Sequence, residues 1–282
     1  RPLGAFFFAA GSGPLPSRAD PGFQDPLASG AAKRYLRAFR RAGGGRGGRV
    51  VGAAERSRIR FTGAPREARG AVLVLEGARR AELRRACALA GELARRCLLV
   101  AVDGGLGTCR AEGLSPDVFV GDLDSADRAP RGVPSVVFPR DKDFSDLGGA
   151  LREVRSRGIS VVVVAGLLGG RLDHEWANLL EIGARARWFS GFLIPTGRGM
   201  VVVTARGCRA VTVRGRPFSL FALGGGATVT LAGAKWALGR SRVRPGALGL
   251  SNVTGSSLRL RVHSGAALLV FQPAAEITEV EH

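Results

Sequence analysis

The sequence predicts an α/β fold: a mostly parallel sheet sandwiched by helices, followed by a small all-β sandwich domain. Two textures carry this reading. Between residues 71 and 195 continuous apolar runs alternate with segments of helical periodicity, and beyond residue 200 only short strand-like runs between glycine-rich turns remain. Residues 1–70 show neither pattern, so the expected organisation is a disordered basic Gly/Arg-rich segment (1–70), an α/β domain (71–195) and a β domain (196–282). Strands buried on both faces read as unbroken apolar runs, whereas half-buried strands alternate, and this separates the last two units.

The elements follow in order. AVLVLEG (71–77) is a buried strand and AELRRACALAGELARR (81–96) a helix with apolar residues at i, i+3 and i+4. CLLVAVD (97–103) is a second strand, followed by a short helix over 105–112. PDVFVGD (116–122) and SVVFPR (135–140) are further strands, and FSDLGGALREVRSRG (144–158) is a helix stopped by glycine. ISVVVVAG (159–166) is a strongly β-branched strand, RLDHEWANLLEIGARAR (171–187) a helix and FSGFLIP (189–195) a last strand of this unit. MVVVTA, CRAVTV, FSLFAL, ATVTLA, SLRLRV and AALLVF, between 200 and 271, read as short strands of the β domain. Before residue 71, PLPSRADPG (14–22) and AGGGRGGR (42–49) read as disordered, with a short helix over 31–41.

Charge is unevenly placed. The formal net charge is +19, and residues 1–70 hold 14 bases against 4 acids. Only three of the 42 bases are lysine (Lys33, Lys142 and Lys235), a bias expected from base composition in the coding sequence. A basic tail and a solvated basic face explain most of the excess without a nucleic-acid or membrane partner. No apolar run approaches the roughly 18–20 residues of a membrane span. The run LGAFFFAA (3–10) lacks the flanks of a signal peptide. The chain opens with Arg1 and its only methionine is Met200, so the native start is expected elsewhere. Cys87, Cys97, Cys109 and Cys208 form no C-x-x-C pair and read as reduced thiols of a cytoplasmic protein.

Against this basic background stands an acidic island. Eight of the eleven aspartates lie between Asp103 and Asp146, where nine acids face five bases. Carboxylates so concentrated suit a hard divalent cation such as Mg²⁺. In an open α/β sheet ligands bind beyond the carboxyl ends of the strands, where Asp103 and Asp122 fall, with Asp124 two residues on. DKDFSD adds Asp141, Asp143 and Asp146 around a helix start, where Asp143 or Ser145 is the N-cap. Gly104 and Gly105 allow a sharp turn. Gly169 and Gly170 precede a helix N-terminus bearing Arg171, an anion site by geometry. His174 and Asn178 are i, i+4 and share a face. Taken singly, each motif is as well explained by turns, caps or a solvated face. Four in order, all at strand ends or helix starts, favour nucleotide phosphate chemistry.

VDGG (102–105), SPDVFVGDLDS (115–125), DKDFSD (141–146) and GGRLDHEWAN (169–178), in this order and spacing, resemble the thiamine pyrophosphokinase (thiamine diphosphokinase) family. The resemblance covers roughly residues 71–271, and GAKWAL (233–238) and LGLSN (248–252) are similar, more loosely, to that family's thiamine-domain motifs. The family often has threonine where Ser145 stands, and residues 1–70 have no counterpart.

The resemblance implies transfer of the β,γ-pyrophosphoryl group of ATP to the hydroxyethyl oxygen of thiamine, releasing AMP, with Mg²⁺. It implies an acidic metal site of Asp103, Asp122, Asp124 and Asp146, with Asp143 and Asp173 beside it. Lys142, Arg171 and the backbone of Gly169 and Gly170 would position phosphate, with Gly104, Gly105, His174 and Asn178 completing the nucleotide pocket. Trp236 would stack on a thiamine ring, and Ser251 and Asn252 would hydrogen-bond the aminopyrimidine. A homodimer with the active site between subunits is also implied, with thiamine and ATP as the ligands and neither membrane nor nucleic acid among the expected partners. Two competing readings are a pyrophosphokinase of the same fold acting on a pterin alcohol, and a basic nucleic-acid-binding protein. The second leaves the acidic island unexplained.

Overall fold

The computed structural model describes residues 59–65, 68–94, 96–124 and 129–272. The helix expected over 31–41 and the Gly/Arg-rich run at 42–49 lie outside the described residues.

The apolar runs form the strands they predict. β2 (Arg69–Val74), β3 (Arg96–Val102), β4 (Val118–Gly121), β5 (Ser135–Val137), β6 (Val161–Ala165) and β7 (Gly191–Thr196) pair in parallel, in the order β5-β4-β3-β2-β6-β7. Successive residues point to opposite faces, so each strand feeds two cores. Val72, Val74, Leu99 and Ala101 pack with Leu83, Ala86, Cys87 and Ala90 of helix α1 (Arg80–Leu93). Leu73, Leu98 and Val100 pack with Leu147, Ala150, Leu151 and Val154 of α3 (Asp146–Ser156). The i, i+3, i+4, i+7 spacing on both helices is what places these side chains on one face. The short α2 (Gly105–Ala111) follows β3. α4 (Leu172–Arg185) follows β6 and buries only Ile182 fully.

The sheet continues past residue 196. β7 turns at 197–198 into the antiparallel β8 (Gly199–Thr204), and the order runs on through β12 (Asn252–Phe271), β9 (Gly207–Val211) and β1 (Ile59–Phe61). One core joins α1 and β2 to Met200, Phe218, Leu258 and Phe271, so the mixed sheet with its helices shares a continuous interior.

Three differences from the sequence reading have physical causes. Ile59–Phe61, expected within a disordered segment, form β1 against β9, and β2 begins at Arg69. The Phe61 ring fills the space that Gly191 leaves, where a Cβ would lie 2.0 Å from it. A three-residue strand among arginines has too little alternation to be read. Secondly, the runs FSLFAL and ATVTLA are one strand, β10 (Pro217–Ala234), and SLRLRV and AALLVF are both parts of β12. Thirdly, LGRSRV forms β11 (Leu238–Val243) on the edge of β10, although its polar sequence carries no strand signal.

The two long strands bend together. Ser219 faces Val270 and Ala232 faces Arg259, partner numbers falling as β10 rises, so the two run in opposite directions. Residues 224–226 of β10 lie opposite the bend of β12 at 264–265. Core parity switches there. Phe218, Leu220 and Ala222 point inward before the bulge, then Ala227, Val229 and Leu231; Leu258, Leu260 and Val262 do so on β12, then Ala267, Leu269 and Phe271. A bulge that shifts parity lets a strand turn a corner while keeping its apolar side inside. Gly265, at φ 76°, makes the bend, and a Cβ there would lie 2.2 Å from the Gly226 carbonyl oxygen. Gly265→Ala is therefore expected to destabilise the fold by about 2–3 kcal/mol, measured by urea unfolding; a change under about 0.5 kcal/mol would show that the corner tolerates a side chain.

Candidate active site

Asp103 follows β3 directly. Its backbone takes the left-handed conformation (φ 42°), uncommon for a non-glycine residue, and its N–H donates to the Val120 carbonyl at 2.8 Å. Asp122 follows β4 after Gly121. A Cβ on Gly121 would lie 2.9 Å from the Asp103 Cα, so glycine is what lets the two strand ends close on each other. Asp146 opens α3, whose N-cap is Ser145; its Oγ accepts from the Gly148 N–H at 2.9 Å. One carboxylate oxygen from each of Asp103, Asp122 and Asp146 lies within 4.8 Å of the others, and all three residues are half-buried.

Three like charges at such separation repel strongly in a partly dry site. Lys142 offsets part of that. Its Nζ donates to Asp122 Oδ2 and stands 3.3 Å from Asp146 Oδ1, and the Lys142 and Asp122 side chains are each only 8% exposed. The hydrogen bond from Lys142 holds the Asp122 carboxyl below its ordinary range, against burial. Burial pushes Asp146 up, with the charges of Asp122 and Asp103 adding to it and Lys142 opposing. Burial works against the Lys142 charge, yet the Asp122 hydrogen bond and the Asp146 charge keep its pKa above the ordinary value. An all-oxygen, carboxylate donor set fits Mg²⁺, which keeps several waters and takes one or two carboxylates from protein.

Asp124, the fourth expected carboxylate, is exposed and stands outside this group. Its backbone N–H donates to Asp122 Oδ1 at 3.1 Å, across Leu123 at φ 63°, and so orients Asp122. Asp143 is exposed, and of the two candidate caps Ser145 is the one used. Gly105 is buried: a Cβ would lie 1.9 Å from the Val74 carbonyl oxygen, so glycine serves the packing of α2 on β2, while Gly104 sits half-buried beside Glu76.

The expected phosphate side is differently arranged. The Gly169 and Gly170 N–H groups donate to Glu175 Oε1, at 2.6 and 2.7 Å, so a carboxylate of the chain itself holds the anion position. Arg171 and Asp173 form an exposed ion pair at 2.7 Å, which lowers the Asp173 pKa. His174 is exposed and Asn178 half-buried on α4.

On the strands beyond residue 196, Trp236 is 54% exposed, with Lys235 Nζ 4.6 Å from its ring centroid. The ring thus already faces a cation. Asn252 is buried, and its side chain accepts from Trp236 N–H at 3.1 Å and donates to the Trp236 carbonyl at 2.8 Å. Its amide braces the Trp236 loop, its oxygen also accepting from the Val253 N–H at 2.8 Å. Ser251 is exposed, with φ 58° and its N–H donating to Ser219 Oγ at 3.2 Å.

Sequence reasoning missed Gly121, Glu175 and Lys235. Glu175 in the first turn of a helix after a diglycine has a signal, since an acid there reaches back to free amides as in a capping box. Gly121 is visible within GDLDS, but its role depends on a contact with another strand.

Residues 90–186 match the family described as "Thiamin pyrophosphokinase, catalytic domain". That stretch, which contains the three carboxylates and Lys142, is similar to the catalytic domain of thiamin pyrophosphokinases. Solved thiamin pyrophosphokinases share the fold. The Bacillus subtilis structure is 19% identical, with 72% of this chain and 98% of that one covered at a TM-score of 0.57. The Geobacillus thermodenitrificans structure is 22% identical, covering 72% and 97% at 0.55. The Candida albicans structure is 10% identical, covering 77% and 98% at 0.55. No curated protein sequence matches the chain.

Gly121→Ala is expected to spread Asp103 from Asp122 and weaken Mg²⁺ binding about tenfold or more, read by calorimetric titration at constant pH. Undiminished affinity would show that this close approach does not build the cation site.

Proposed function

We propose that the chain is a thiamine pyrophosphokinase, transferring pyrophosphate from ATP to the hydroxyethyl oxygen of thiamine. The observation that carries this is the convergence of Asp103, Asp122 and Asp146 with Lys142 inside the stretch that matches the family. In the proposed reaction the thiamine oxygen bonds to the β-phosphorus, the bond from that phosphorus to the α–β bridging oxygen breaks, and AMP leaves. Asp103, Asp122 and Asp146, with Asp124 drawn in from the loop, would hold Mg²⁺, which supplies charge neutralisation for the phosphates. Lys142 adds a fixed positive charge beside them. Asp122 or Asp146 would take the hydroxyl proton. Gly169, Gly170 and Arg171 would hold phosphate once Glu175 turns away, with Asp143, Asp173, His174 and Asn178 around the nucleotide.

Residues 71–195 would form the catalytic unit, and residues 196–282, through the bent strands between 199 and 271, a β-sandwich that presents Trp236 and Ser251 to thiamine. A homodimer is part of this proposal. Leu172, Trp176 and Leu180, at i, i+4 and i+8 on α4, are 80%, 65% and 51% exposed, and Leu248 and Leu250 are 89% and 52% exposed. Such apolar surfaces fit a second copy, with the strands of one protomer completing the carboxylate site of the other. Among the described residues no helix is long and apolar enough to cross a membrane. Four free, buried cysteines accord with a reducing, cytoplasmic setting.

The purified chain with Mg²⁺ and ATP should release AMP on addition of thiamine and not of a hydroxymethylpterin; AMP release independent of thiamine would overturn the assignment. Asp122→Asn and Asp124→Asn should each abolish turnover with an unchanged circular dichroism spectrum, and near-normal activity in either removes that residue from the site. Trp236→Ala should raise KM for thiamine more than KM for ATP, whereas Glu175→Ala should lower KM for ATP by freeing two amides. A higher ATP KM in the latter would mark Glu175 as a brace for the loop.

A further inference from the structure

Between Glu181 and Glu276 the sequence holds thirteen Arg and Lys residues and no acid. Base composition can exchange lysine for arginine, but it does not remove Asp and Glu, and ordinary surfaces intersperse both signs. The structure places part of this charge in register. Arg60 on β1 pairs directly with Arg209 on β9, and Arg209 pairs directly with Arg259 on β12. All three are exposed while their strand neighbours Ile59, Phe61, Cys208, Ala210, Leu258 and Leu260 are buried, so the arginines share the outer face. With strands about 4.8 Å apart, the row is roughly 10 Å long. Like charges directly opposite each other destabilise a sheet, and none of β1, β8, β9, β10, β11 and β12 contains an acidic residue to relieve them.

A cavity of about 200 Å³ lies along this row, lined by the three arginines with Ser257, Leu258, Ala210 and Val211. It is too small for a drug-sized ligand and suits a phosphate group, which guanidinium forks bind in bidentate fashion. The row is also remote in the sheet from the carboxylates: four strands, β8, β7, β6 and β2, lie between β12 and β3.

We infer that the Arg60–Arg209–Arg259 row is a binding face for the phosphate backbone of a nucleic acid, separate from the carboxylate site. It sets aside the expectation of no nucleic-acid partner. β1, β9 and the β12 segment paired with β9 carry no outward aromatic residue, so bases have nothing to stack on and contact runs through phosphates, without sequence preference. A membrane surface fits less well. Interfacial binding wants large apolar side chains beside the cations, and Val211 alone among the large exposed apolar residues lines the cavity.

The test uses the full chain and a fluorescent single-stranded 20-mer RNA, with binding followed by anisotropy across a salt series. The triple variant R60Q/R209Q/R259Q is expected to bind more weakly and to lower the slope of log K against log[salt] by about 2, at roughly 0.7 for each phosphate no longer neutralised. The matching triple lysine variant, which keeps the charges, should retain that slope. Thiamine-dependent AMP release should be the same in all three proteins, so that failure here is distinct from failure of the enzymatic assignment. An unchanged slope in the glutamine variant would overturn the proposal by placing RNA binding elsewhere on the chain. So would stronger binding to vesicles of 30% phosphatidylserine than to RNA, abolished by the same substitutions, since the face would then serve a membrane.

Discussion

The close approach of the β3 and β4 ends organises this molecule. Gly121 leaves room for the Asp103 backbone, Asp103 takes a left-handed turn, and two carboxylates from different strands meet. Asp146 joins them because Ser145 caps α3 at the same sheet edge. Such an arrangement is costly in isolation, since three carboxylates must share a half-buried space. The large two-sided core beneath it makes that cost tolerable. Val100, Val102, Val118 and Val120 are almost wholly buried and fix both strand ends before any charge is considered.

Electrostatic balance sets the next level. Lys142 reaches both Asp122 and Asp146, and its effects on the two differ. The direct hydrogen bond lowers the Asp122 pKa, while burial raises that of Asp146, which is more distant from the ammonium. The same logic operates on the phosphate side. Glu175 satisfies two amides that would otherwise face solvent, so the loop at 169–170 is ordered by an internal anion.

Much of this was legible in the sequence, for a definite reason. Asp103 and Asp122 end unbroken apolar runs, and a run buried on both faces marks its own carboxyl end. The helices of the α/β unit were equally clear because their apolar spacing is local. What escaped depends on contacts between distant segments. The strand Ile59–Phe61 exists because β9 and Gly191 receive it. β10 and β12 are continuous because their bends coincide, although each half reads as a strand of its own. Asn252 looked like a ligand-binding amide, and only the fold shows both its polar atoms engaged by the Trp236 backbone.

Charge segregation then links fold to function. Every acid of the carboxylate site precedes residue 182, and the strands that follow carry bases alone up to Glu276. Mixing the two signs along the chain would have let arginines pair with the aspartates and fill the cation site with protein charge. Confining the acids to the ends of the parallel strands, with one lysine among them, leaves that cluster net negative. The acid-free strands remain positive, and their outer arginines face one another in register. The two surfaces are therefore consequences of a single separation: carboxylates gather at one end of the sheet and arginines at the other.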